Sequence, residues 1–129
     1  MQIKFTSVMV TDQENALHFY AEVLGFNKMA DIPMGTFRWL TVTSPDGIDG
    51  VELVLEPINF PPARDYQQAL FSAGIPALAL TTRDIQADYK RLKAMGVIFR
   101  GEPQNMGAIM GVVFEDTCGN LINLVQPLV

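Results

Sequence analysis

Residues Gln2 to Val10 (QIKFTSVMV) mix β-branched and apolar residues over a strand's length, and a two-residue period places Phe5, Ser7 and Met9 on one face and Val8 and Val10 on the other. This composition and length predict a strand. Thr11 stands three residues before Glu14, a capping-box spacing. Ala16, Phe19, Tyr20, Val23 and Leu24 then recur at helical intervals until Gly25. The pattern predicts an amphipathic helix. A short strand around Phe26 to Ala30, a strand from about Thr36 to Thr43, a turn over Pro45 to Gly50 and a strand from Val51 to Glu56 follow. Pro57, Pro61 and Pro62 then interrupt the chain, and Tyr66, Leu70 and Ala73 sit at helical spacing before Gly74, which suits a helix C-terminus. After it the pattern restarts. A strand is expected over Ala77 to Thr81, then a helix opened by Asp84, carrying Ile85, Tyr89 and Leu92 on one face and closed by Gly96. Strands are expected at Val97 to Arg100, Gly107 to Glu115 and Leu121 to Gln126.

The restart has a counterpart in local detail. Trp39 to Gly47 followed by Val51 to Val54 parallels Val112 to Gly119 followed by Ile122 to Val125: strand, glycine-bearing turn, strand. Self-similarity of this kind predicts a duplicated supersecondary unit. The expected architecture is α+β, with two βαβββ modules: module one over residues 1–57, a linker helix over 58–74 and module two over 75–129. Each module alone leaves one sheet face uncovered, so the sheets are expected to curl around a cleft.

Composition narrows the function classes. With 129 residues, 49% of them hydrophobic, the chain suits one compact domain rather than two ordinary independent ones. The net charge is −5, and Lys and Arg are scattered singly, which argues against a nucleic-acid partner. No uninterrupted apolar run approaches bilayer-spanning length, and the opening residues carry no basic leader followed by an apolar run, so no membrane association and a cytoplasmic location are expected. The single cysteine, Cys118, can form no internal disulfide, in keeping with a reducing compartment.

Two segments carry a family resemblance. Val10 to Phe26 (VTDQENALHFYAEVLGF) resembles the opening of the glyoxalase/bleomycin-resistance/extradiol-dioxygenase (vicinal oxygen chelate) superfamily, in which a strand ending near an Asp enters a helix reading A-x-x-F-Y-x-x-x-L-G-F. Glu115 to Val125 (EDTCGNLINLV) is similar to the family's closing turn and strand, D-P-x-G-N-x-h-E-L with h apolar. The resemblance implies the two-module fold and an inter-module cleft. In metal-using members it implies a divalent ion held by four inward His or Glu residues. Carried onto this sequence, those positions fall on Phe5, on Ala77, on Asn123, and on Glu52 or, with a one-residue register slip, Leu53. One strong ligand at most survives, so no cofactor is expected, and a divalent metal centre of the family type is disfavoured.

The individual side chains divide accordingly. His18, the single histidine, lies opposite the apolar helix face and reads as solvent-facing. Glu52, within VELVL, is the candidate catalytic residue as a general base or residual metal ligand; its alternative is an outward or salt-bridged strand residue. Asn123 is placed for ligand hydrogen bonds, or is an amide satisfied by a neighbouring strand. Arg38 and Trp39 face opposite ways, and one of them lines the cleft. Trp39 stacks a planar ligand or fills the core. Met9, Met110 and Phe114 form an apolar wall or ordinary core. Cys118 lacks the nearby cation that would make it reactive, and Asp116 and Gly119 read as turn residues. The leading reading is a metal-independent protein that binds a small, partly apolar molecule, with Phe5, Ser7, Met9, Trp39, Ala77, Met110 and Asn123 lining the cleft. The alternative is a lyase, isomerase or dioxygenase that uses Glu52. A third is a filled cleft and action through association alone. Homodimerisation is expected from the habits of the superfamily and from the frequency of twofold assemblies.

Overall fold

The computed structural model describes residues 1–128; Val129, the last residue of the expected second module, lies outside them. The element order is β1 (Phe5–Val10), α1 (Gln13–Leu17), β2 (Asn27–Met34), β3 (Phe37–Thr43), β4 (Glu52–Pro57), α2 (Pro61–Ala73), β5 (Leu78–Thr81), α3 (Ile85–Ala94), β6 (Gln104–Asn105), β7 (Ile109–Glu115) and β8 (Leu121–Pro127). A mixed α+β fold of two four-stranded sheets results, ordered β1-β4-β3-β2 and β5-β8-β7-β6. The chain forms two compact units that divide between Tyr66 and Gln67, inside α2.

In the first unit, β1 runs parallel to β4, and β4 and β2 run antiparallel to β3. The period of two in β1 buries Val8 and Val10, which join Leu40, Val42 and Leu55 on the face that meets Ala16, Phe19 and Tyr20 of the helical segment. Burying each of these larger side chains is worth roughly 1.5–3 kcal/mol. The helix is capped by Asp12, whose carboxylate accepts from the Asn15 N–H at 2.9 Å; the expected Thr11 cap is displaced by one residue, because Thr11 still belongs to the exit from the strand. From His18 to Val23 the helix widens to a π-turn, with the Phe26 N–H reaching back to the Tyr20 carbonyl at 3.0 Å.

The β3–β4 ladder pairs Thr41 with Val54 and Val42 with Leu53. Beyond it, Gln13 of α1 takes over the unpaired backbone. Its amide nitrogen donates to the carbonyls of Arg38 (2.7 Å) and Leu55 (2.9 Å), and its oxygen accepts from the Arg38 N–H (3.0 Å). Two strands that have parted are thus bridged by a helix side chain, so the buried backbone groups are satisfied.

The second unit repeats the plan. β5 runs parallel to β8, and β8 and β6 pair antiparallel with β7. Asp84 caps α3 by accepting from the Ala87 N–H (3.0 Å), and the Ile85 N–H donates to Gln126 of β8 (2.9 Å). Phe114, Ile122 and Leu124 are buried with Ile85 and Leu92, and Phe99 lies between Tyr89 and Phe114 at ring separations of 4.7 and 5.6 Å. The strand expected at Val97–Arg100 reduces to an isolated bridge between Phe99 and Phe114. Gly101, at φ +110, and Pro103 turn the backbone away there, and Gln104–Asn105 becomes the edge strand instead. The strand expected to stop at Ala30 continues to Met34, because β3 supplies pairing partners through Phe37.

Candidate functional site

Helices cover one face of each sheet, and the sequence-nominated residues fall mostly on the other. In the first unit the register sets Phe5 opposite Glu52, Ser7 opposite Val54 and Met9 opposite Glu56. Glu52 therefore shares the helix-free face with Phe5, while Leu53 pairs with Val42 on the helix side. Trp39 shares the helix-free face too, its ring meeting Phe5 edge-on at 5.4 Å and 74°. Arg38 points the other way, into a fork with Asp31 (2.9 and 2.8 Å) and a contact with Glu14 (2.6 Å). These carboxylates push the Arg38 pKa up, and Arg38 in turn holds Asp31 below the ordinary carboxylate range through its hydrogen bond. This cluster is a structural staple between α1, β2 and β3. Phe5 is 47% and Met9 37% exposed, and Ile32, opposite Trp39, is 53% exposed. An aromatic and methionine-bearing patch of this kind on a sheet face marks a contact surface.

Glu52 is only 7% exposed. One of its oxygens accepts from the Thr41 hydroxyl at 2.7 Å, and the other meets the Lys4 ammonium at 3.2 Å. The Thr41 bond, with Lys4 adding to it, outweighs the opposing effect of burial and holds the carboxyl below its ordinary value of 4.5. An anion stabilised in this way is a weak proton acceptor. Thr41 also accepts from the Ala30 N–H (3.1 Å) beside a register shift in β2, so the carboxylate is tied into the backbone of the hairpin. Sequence reasoning missed Lys4 and Thr41. Lys4 is 48 positions from Glu52, and nothing in either segment foretells their meeting.

On the helix-free face of the second unit, Asn123 stands opposite Ala79 and Val113. Its amide oxygen lies 3.7 Å from the point a Cβ on Gly111 would occupy. Ala77 precedes β5, its N–H donating to the Leu121 carbonyl (2.8 Å); Ala79, two residues on, is the residue that faces Asn123, and the sequence count from the helix cap overlooked it. Met110 pairs with Gln126 in the row of Val112 and Phe114. Since Gln126 caps α3, Met110 belongs to the helix side, and its expected place beside Asn123 is corrected by the register. Phe114 is core. His18 is exposed. Cys118 is buried in a turn built by Asp116, whose carboxylate accepts from the N–H groups of Cys118 (2.8 Å) and Asn120 (3.0 Å). A shallow depression of about 300 Å³ at the start of α2, lined by Ile58, Phe60, Arg64 and Asp65 among others, contains none of the nominated residues.

Two mixed four-stranded sheets, each with a parallel outer pair, a helix on one face and a helix-free opposite face, define the class. The family model described as Glyoxalase/Bleomycin resistance protein/Dioxygenase superfamily matches residues 2–124, and the chain belongs to that superfamily. It is 54% identical over 126 residues to the uncharacterized protein YurT of Bacillus subtilis (strain 168), covering 98% of this chain and 99% of YurT. Among solved structures it resembles that of UcmS2 (TM-score 0.83, 30% identity, 97% of each chain). It also resembles that of TnmS3, an antibiotic binding protein from Streptomyces sp. CB03234 (TM-score 0.78, 35% identity, 98% of this chain and 96% of the other).

The divalent metal used by part of this superfamily does not fit the residues present. Phe5, Ala77 and Ala79 offer no lone pairs, Asn123 offers a neutral amide, and both oxygens of Glu52 are already engaged. Among the described residues, no three His, Cys, Asp or Glu gather as a ligand set. Divalent ions are held by three or more such donors.

Proposed function

We propose that this protein binds a small, partly apolar molecule on the helix-free sheet face carrying Phe5, Ser7, Met9 and Trp39, and does so without a metal. The observation that carries the reading is the edge-to-face pair of exposed Phe5 and half-buried Trp39, beside exposed Met9 and Ile32. Aromatic walls with a few polar groups suit a flat organic ligand. The antibiotic-binding relative TnmS3 supports the same class of function. Catalysis through Glu52 is the weaker reading, because Thr41 and Lys4 hold that side chain as a fixed anion. On the second unit's own helix-free face, Asn123, opposite Ala79 of β5 and with Ala77 just before that strand, is proposed as a polar contact for a small molecule. Homodimerisation and a cytoplasmic location belong to the same proposal; no helix among the described residues is long and apolar enough to cross a membrane.

The lone tryptophan makes the test direct. The neutral dye N-phenylnaphthylamine is expected to brighten on binding and to quench Trp39 emission, with weaker binding in Phe5→Ser. Saturable quenching that is indifferent to Phe5, or no quenching, contradicts the assignment. Sedimentation velocity reads the oligomeric state, and a monomer at all concentrations removes the dimer from the proposal.

A further inference from the structure

The helix-free face of the first unit holds two carboxylates in different electrostatic situations. Glu52 is matched by Lys4 at 3.2 Å. Glu56, four residues further along β4 and opposite Met9, accepts a hydrogen bond from the Ser7 hydroxyl at 3.3 Å. Among the described residues the ion pairs formed by lysine and arginine go to other carboxylates, and none reaches Glu56. Ser7, which donates to Glu56, stands between Phe5 and Met9 on this face of β1, and Phe5 carries the Trp39 ring. A half-buried anion therefore lies beside an aromatic and thioether surface, in a chain whose net charge is −5.

Taking the small-molecule binding reading as its premise, we infer that the ligand of this face is a cationic aromatic amine, its ammonium set against Glu56 and its ring against Trp39 and Phe5. Among the described residues, the charge on Glu56 is the one on this face without an ion-pair partner. An ammonium matches it and gains further from the electron-rich ring faces, whereas an aromatic carboxylate meets repulsion from Glu56 and from the net negative field. Glu56 is outside the positions the superfamily uses for metal, so this role is distinct from the resemblance.

Three isosteric probes test it: naphthylmethylamine, naphthylmethanol and naphthoate, titrated calorimetrically into the full chain at low and raised ionic strength. The amine is expected to bind at least about five-fold more tightly than the alcohol at low salt, with naphthoate weakest and the preference shrinking as salt screens the pair. In Glu56→Gln the amine-to-alcohol ratio should fall to about two or less, and in Glu56→Lys the order of amine and naphthoate should reverse. Thermal melts of both variants verify folding. Equal affinity for amine and alcohol in the parent protein, or a preference that survives Glu56→Gln, overturns the cationic-ligand inference and leaves the binding reading standing. No binding of any probe overturns that reading and the inference with it. A dimer in which Trp39 is shielded from acrylamide and takes up no probe would mean that a second copy occupies the face, and this also overturns the inference.

Discussion

Thr41 and Lys4 approach separate oxygens of Glu52, and that arrangement makes its charge part of the fold. Its carboxyl lies below 4.5 when folded, so the stabilisation it contributes is complete above that value and is lost as pH falls through the lower, folded one. Glu52→Gln removes this dependence. As pH falls below about 4.5 the parent protein should lose more urea stability than the variant; equal acid sensitivity of the two would show that the Thr41 bond and the Lys4 pair contribute nothing through the Glu52 charge. Thr41→Val leaves the Ala30 N–H and one Glu52 oxygen without their partner, and should cost about 1–3 kcal/mol at neutral pH, read from the urea midpoint. None of this was visible in the local sequence. VELVL announces a strand, but which of Glu52 and Leu53 faces the helices depends on pairing with β1 and β3, and a one-residue slip exchanges them.

Elements were more legible than residues. The β-rich composition of β1, the apolar stripe of the first helix and the glycine-ended helices are short-range features, which a sequence displays directly. The failures occurred where a distant partner decides. Val97–Arg100 has strand composition and bonds β7 through the Arg100 N–H to the Val113 carbonyl (2.7 Å) and the Glu115 N–H to the Ile98 carbonyl (2.9 Å), yet Gly101 turns the chain away before a ladder forms. Met110 has the character of a cavity wall, yet the β7–β8 register turns it toward α3. Gln13 attracted no notice, although its amide joins α1 to both β3 and β4. Gln13→Ala should cost about 1–3 kcal/mol, because two carbonyls and one N–H lose their partner in a part-buried gap. In the second unit, Gln67 of α2 donates to the Cys118 carbonyl and to Asn120, both at 3.1 Å. Gly119, at φ +93, lies so close that an added Cβ would sit 2.8 Å from the Gln67 amide oxygen. Gly119→Ala is therefore expected to destabilise by about 2 kcal/mol or more, through both backbone strain and the displaced amide. A thermal melt close to that of the parent would contradict this packing.

For the molecule as a whole, superfamily membership and the mixed α+β fold were foreseeable from the A-x-x-F-Y-x-x-x-L-G-F string and the restarted strand–helix pattern, and residues 2–124 match the family accordingly. The proposed independence from metal belongs to this scale as well. A site of about micromolar affinity, supplied with a hundred-fold excess of metal, would stabilise the fold by about 2.7 kcal/mol and raise Tm by several degrees. Zinc, manganese and nickel are expected to produce no such rise, and elemental analysis of purified protein should find substoichiometric metal. A stoichiometric ion that raises Tm would return Glu52 to the position of a ligand.

The sequence by itself determined the family, the fold class and the absence of ligating side chains at Phe5 and Ala77, because these depend on residue identity and on periodicities of two and 3.6 residues. Tertiary structure decided which face each strand residue takes, that Trp39 rather than Arg38 joins Phe5, and that Glu52 is neutralised while Glu56 is not. The physical reason is that strand register and ion pairing arise between segments far apart in the chain, where no local pattern records the partner.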